Sequence, residues 1–106
     1  NISSQYAYYY GIMIQAKRFL DDAEEALENF KSSSRTEKRS EGVKLTAVAA
    51  EDYVNSLELT RDLNSKVLHL KESYGYAKGL CNTLEMKKDM LTQLSANSRQ
   101  ESKLFQ

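Results

Sequence analysis

The sequence predicts an all-α protein, an extended helical hairpin of two long amphipathic helices joined through a short middle helix and packed as in a coiled coil. Two observations predict it. Proline is absent, glycine occurs four times and charged residues make up 28% of the 106 positions, a composition that suits long solvated helices and not turn-rich β folds. Two stretches carry apolar residues at alternating spacings of 3 and 4, the seam pattern of helices that pack on one another. The length allows one domain, covering residues 1–106.

The first helix is expected over about residues 4–31, capped by Ser3 or Ser4. Its stripe runs Tyr6, Tyr9, Met13, Ala16, Leu20, Ala23, Leu27 and Phe30, so it needs a partner helix. Alanine inside that seam lets the partner backbone come close, and Ile12, Phe19 and Ala26 widen the apolar face on one side, which implies more than one neighbour. Asp21, Asp22, Glu24, Glu25 and Glu28 mostly avoid the stripe. They form a solvated outer surface or a docking strip for a basic partner.

Residues 32–45 are expected as a mobile basic loop, because the stretch 31–44, KSSSRTEKRSEGVK, has no apolar residue before Val43 and has nothing to bury. The stretch either turns the chain as a solvated linker or acts as an arm on phosphates, which Arg, Lys and serine hydroxyls recognise. Thr46 is placed to cap a short helix over about 46–55. Asn55 and Ser56, poor helix formers, mark a break after it, a continuous helix being the other reading.

The long helix is expected over about 57–99, with Leu63, Val67, Leu70, Tyr74, Ala77, Cys81 and Leu84 on its stripe. Lys88 takes the next inward position, and the apolar face continues through Leu91 and Leu94 before the polar end SANSRQESKLFQ. Gly75 and Gly79 sit inside this helix at a cost of about 1 kcal/mol each, so another backbone or a tyrosine ring is expected against them. At a rise of about 1.5 Å per residue the two long helices would measure roughly 40 and 65 Å. The longer one would outrun its cover, and an uncovered apolar stripe points to a homo-oligomer with Leu84, Leu91 and Leu94 at the interface.

No catalytic constellation is present. His69 and Cys81 are the only residues of their kinds and would stand about 18 Å apart on one helix, too far for a dyad. Cys81 reads as a small buried hydrophobe and His69 as a helix-surface residue. No metal site is expected, because Glu24, Glu25 and Glu28 have no accompanying Glu-x-x-His pair. Phosphate-cradling Gly-rich loops are absent too, so no enzyme, cofactor or metal is predicted.

What remains is binding. The formal net charge is zero, which removes any global pull toward nucleic acid and leaves local patches to consider. Arg61, Lys66, Lys71, Lys78, Lys87 and Lys88 recur along the long helix with His69, Tyr74 and Tyr76 between them, a mixture that grips a backbone with cations and stacks bases on rings. Glu58, Asp62, Glu72, Glu85 and Asp89 share that helix and would pair with many of these cations, giving an ordinary salt-bridged surface instead. Tyr6 and Tyr9 belong to the seam, while Tyr8, off it, is the ring more available for stacking. A lone cysteine points to a reducing compartment, and no apolar run approaches a membrane span or a signal peptide, so a cytoplasmic protein is expected. The chain starts at Asn1 without an initiator Met, so a few leading residues are expected before it.

The order of features is a tyrosine-rich helix, an acidic stretch, KSSSRTEKRSEG, the capped segment KLTAVAAEDYV and the tail YGYAKGLCNTLEMKKDMLTQLSANSRQE. In that order the chain resembles small phage proteins of the UvsY-like recombination-mediator type. The resemblance implies a phage protein in the host cytoplasm that binds single-stranded DNA and forms a ring-like oligomer through its C-terminal helix. It also implies a protein that loads a strand-exchange recombinase onto DNA covered by a single-strand-binding protein. Lys31, Arg35, Lys38, Arg39 and Lys44 would then contact phosphates, joined by Lys71 and Lys78, and oligomer formation would multiply a weak basic arm through avidity. The chain departs from such mediators in its charge, which is concentrated in one segment and diluted elsewhere by acids. The alternative is a helical interaction or assembly protein, such as a virion-assembly adaptor or an inhibitor of a host factor, with no affinity for DNA.

Overall fold

The computed structural model describes residues 1–42 and 44–104; Val43, Phe105 and Gln106 lie outside them. Among the described residues there are three helices and no strand: α1 (Ile2–Ser40), α2 (Ala47–Ser56) and α3 (Glu58–Leu104). The long helices α1 and α3 pack against each other along the hairpin, and α2 rests on both. The radius of gyration is 24.1 Å, against about 13 Å for a compact chain of this size. The protein is all-α and extended.

α1 begins two or three residues earlier than its serines suggest. The Asn1 side chain accepts a hydrogen bond from the Ser4 N–H at 2.8 Å, satisfying one of the free donors that open every helix. The larger difference lies at the other end, where the basic loop expected at residues 32–45 is helical as far as Ser40. Nothing in KSSSRTEKRS breaks a helix, and the segment is not free in solvent: Ser34 is buried, and Lys31, Arg35 and Lys38 are half-buried. Arg35 is ion-paired with Glu51 of α2, and Lys38 stands over the Tyr53 ring of α2 at 5.0 Å. Contact with a third helix, invisible to a count of apolar residues, keeps this polar segment helical.

The chain reverses just after Ser40. Gly42 has φ +82, a left-handed conformation that a side chain disfavours, and its N–H donates to the Arg39 carbonyl at 3.1 Å. Thr46 Oγ1 accepts from the Ala49 N–H at 3.1 Å and caps α2. α2 ends at Leu57, whose extended backbone, φ -69 and ψ 135, separates it from α3.

The central core joins Leu20, Ala23 and Leu27 of α1 to Val67 of α3, with Leu63, Leu70 and Tyr74 packed around them. Ala50 and Val54 of α2 are buried near the turn, as is Thr60 of α3. Toward the open end Ala77 and Cys81 are buried. The pairs Lys17–Tyr74 and Lys88–Tyr6 show that α1 and α3 run antiparallel.

Two expectations about the long helix change. An added Cβ at Gly75 or Gly79 meets nothing within 4 Å, so neither backbone nor ring packs on them in the single chain. The cover over α3 also reaches further than expected: Asn1, Ile2 and Ser3 line a cleft with Lys88, Leu91, Thr92, Ser95 and Arg99. A helix of 39 residues spans about 58 Å, so α1 runs beside α3 into this stretch, although every residue from Glu85 to Glu101 stays exposed. No helix among the described residues is long and apolar enough to cross a membrane.

Candidate interaction surfaces

Because α1 and α3 bury one face each in the seam, the hairpin presents two broad flanks, and the residues on them differ in chemistry. One flank is located by a cleft lined by Phe19, Asp22, Ala23 and Ala26 of α1 and by Lys66 and Leu70 of α3. On α1, Tyr8 and Ile12 fall on the same strip as Phe19 and Ala26, at helical spacings of four and seven. On α3, Leu84 stands eighteen residues beyond Lys66, about five full turns, and therefore on the same side; Leu91 follows seven residues later. Tyr8 is 65% exposed, Phe19 53% and Leu91 52%, with Ile12 at 37%; Leu80 and Leu84 are half-buried. This flank is apolar over much of its length.

Leu94 does not belong to it. It lines a shallow hollow with Met90, Gln93 and Asn97, on the side of α3 that faces away from α1, and Met86 lies one turn before Met90 on the same strip. Met86, Met90 and Leu94 are all more than half exposed. The three leucines expected at one interface are thus divided between two surfaces, because the apolar pattern drifts around the helix after Leu84.

The opposite flank is marked by the contact of Lys17 with Tyr74, 5.5 Å from ammonium to ring centroid. Lys71 and Lys78 flank Tyr74 at spacings of three and four and are exposed; on α1, Tyr6 and Tyr10 precede Lys17 on the same strip. Tyr6 and Tyr10 stack with centroids 5.8 Å apart, and Lys88 lies over Tyr6 at 6.0 Å. Partial burial, and after it the charge of the Glu85 carboxylate, raises the Tyr6 phenol above its ordinary value. A hydrogen bond from Lys17 to Asp21, at 3.1 Å, raises the lysine likewise. Tyr8 lies on the apolar flank instead, edge-on to Tyr9 at 5.2 Å, so the exposed ring beside the cations is Tyr10.

The basic segment before the turn is largely engaged within the chain. Arg35 is held by Glu51, and Lys38 is shared between Glu41 at 3.4 Å and the Tyr53 ring. Lys31 is half-buried. Arg39 and Lys44 line an open hollow with Gly42 and Leu45 at the turn, so of the five cations that the sequence counts here two are exposed. His69 is exposed and Cys81 buried on α3. The α1–α2 ion pair and the lysine–tyrosine contacts bring together residues far apart in sequence, and residue type alone carries no signal for them.

Comparison of this chain with protein-family models, with curated proteins and with solved structures gave no match.

Proposed function

We propose that this chain is a non-enzymatic, self-associating helical accessory protein of phage recombination or replication, acting in the host cytoplasm. Copies associate through the apolar flank and the C-terminal part of α3, and the assembly holds single-stranded DNA for a recombinase that replaces a single-strand-binding protein. The observation that carries this reading is the division of the hairpin into an apolar flank and a lysine–tyrosine flank. Association through Ile12, Phe19, Leu84 and Leu91 leaves Lys71 and Lys78 open. A chain with no net charge then binds through repeated weak contacts, since linked sites gain avidity of about 10²–10⁴ without any new contact.

At about 200 Å² for a large side chain, the exposed parts of Tyr8, Ile12, Phe19 and Leu91 sum to roughly 400 Å² of apolar surface. A stable interface buries about 800 Å² per partner, somewhat more than half of it apolar, so this flank is of the size such an interface uses. Met86, Met90 and Leu94 add a second apolar strip on α3, which suits contact with more than one neighbour.

A second reading keeps the assembly and drops the DNA. Asp22, Glu25 and Glu28 on α1 are exposed, a strip suited to a basic protein surface, as in a virion-assembly adaptor or host-factor inhibitor.

The test measures solution mass by sedimentation and binding of a labelled single-stranded oligonucleotide by anisotropy, at low and moderate salt. The unaltered chain is expected to exceed monomer mass and to bind DNA with a steep loss as salt rises, because neutralised phosphates release counterions. Replacing Leu84 and Leu91 together with Asp is expected to lower the mass toward monomer and weaken DNA binding tenfold or more. A monomeric unaltered chain refutes the assembly; an oligomer that ignores DNA at low salt favours the adaptor.

A further inference from the structure

The turn region, which holds five of the chain's 15 Lys and Arg residues, is a poor place for a phosphate backbone, because Arg35 and Lys38 are already paired with Glu51, Glu41 and Tyr53 and the two carboxylates repel a phosphate. The lysine–tyrosine flank is different. On α3, Lys71 and Lys78 are exposed, have no ion pair among the described residues, and stand about 10 Å apart along the helix. On α1, across the seam, Tyr10 is 44% exposed and its ring already stacks on Tyr6. We infer that single-stranded nucleic acid lies along the α1–α3 seam, its phosphates on Lys71 and Lys78 and its bases stacked on Tyr10, and not at the α1–α2 turn. This rests on the DNA-binding reading proposed above and assigns its site.

Three features of the seam fit a single strand. Cations and rings alternate along it, the combination by which proteins hold unpaired bases without reading sequence. Duplex DNA offers no free base face to a ring such as Tyr10, so single strands are preferred. Tyr10 stacks on Tyr6, over which Lys88 lies at 6.0 Å, so the exposed ring has fewer orientations to lose when a base stacks on it.

Acidic groups bound the track. Glu85 stands beside Tyr6 at one end, Asp21 takes the charge of Lys17, and Glu24 follows Lys17 two turns further along α1. The cationic part is therefore short, and only a few nucleotides contact each copy. Contact with several copies is what makes the binding firm.

The experiment is anisotropy of a labelled oligothymidine titrated with the full chain, with mass and helicity recorded for every variant. Three variants are compared with the unaltered protein: Lys71→Ser with Lys78→Ser, Tyr10→Ala, and Arg39→Ser with Lys44→Ser. Removing the two seam lysines is expected to reduce the slope of log affinity against log salt by about 1.4 for each copy in contact with the strand, the share of two phosphates. Tyr10→Ala is expected to weaken binding about tenfold or more, one stacked base being lost on each copy in contact, and Tyr10→Phe, which keeps the ring, to retain the affinity. The turn variant is expected to stay within about twofold of the unaltered chain. If the unaltered chain binds and the seam variants bind equally well, or only the turn variant loses affinity, the site assignment is wrong while the DNA-binding reading stands. No binding by the unaltered chain at low salt refutes that reading itself.

Discussion

Gly75 and Gly79 offer a direct test of how α3 is packed. Both lie inside a helix of 47 residues, both are exposed, and a Cβ built on either one meets nothing within 4 Å. Alanine is favoured over glycine in a helix interior by about 0.8–1 kcal/mol, mainly because glycine has more backbone freedom to lose. With no steric cost at either site, Gly75→Ala with Gly79→Ala is expected to stabilise the fold by about 2 kcal/mol. At 4–8 °C per kcal/mol for a small domain, Tm should rise by roughly 8–16 °C. The assay is thermal unfolding followed by far-ultraviolet circular dichroism at several protein concentrations, because association makes Tm depend on concentration. A lower Tm that grows worse as concentration rises would refute the reasoning. It would mean that a helix of another copy packs on these glycines, closely enough that two methyl groups hold it off.

Two further predictions concern the turn and alkaline conditions. A double-mutant cycle on Arg35→Ala and Glu51→Ala is expected to give a coupling below about 1 kcal/mol, because Glu51 stays half exposed and its pair is screened; hydrogen exchange of the α2 amides would show a larger coupling if this pair held α2 in place. Tyr6 and Lys17 both have raised pKa values in the folded chain, so the folded state keeps its protons where the unfolded state loses them. For Lys17 the contribution is present below the unfolded value near 10.5 and is lost as pH rises through the folded one; for Tyr6, raised by burial and then by the Glu85 charge, a cost of ionising in the folded state appears over a similar range. Denaturant melts should therefore show stability falling above about pH 10, and Tyr6→Phe with Lys17→Met should flatten that fall; an unchanged fall would assign it to other groups.

The two seams and the cap on the short helix show how much local pattern carries. The spacing from Leu20 through Leu27 and from Leu63 through Tyr74 marks the faces that meet in the core, because a helix with a regular apolar stripe has to cover it. Thr46 has the residue type and position of a cap, and its hydroxyl takes that role. Residues 32–40 went the other way: composition made them a loop, and α2 lying against Arg35 and Lys38 made them the last turns of α1. The candidate site was legible only as an inventory. Lys71, Lys78 and the tyrosines are plain in the sequence, but that Tyr10 and not Tyr8 shares a flank with the lysines depends on the register between α1 and α3.

Local chemistry by itself determined that this chain is helical and elongated and that its core lies along two apolar stripes, since backbone propensity and the need to bury a periodic face act within a few turns. The tertiary structure alone decided which of the basic residues remain open and which leucines share a surface. Ion pairs such as Arg35 with Glu51, and the side of the hairpin on which a residue emerges, follow from the antiparallel register and the fold-back of α2. Those are set by contacts between residues distant in the chain, about which residue type and spacing say nothing.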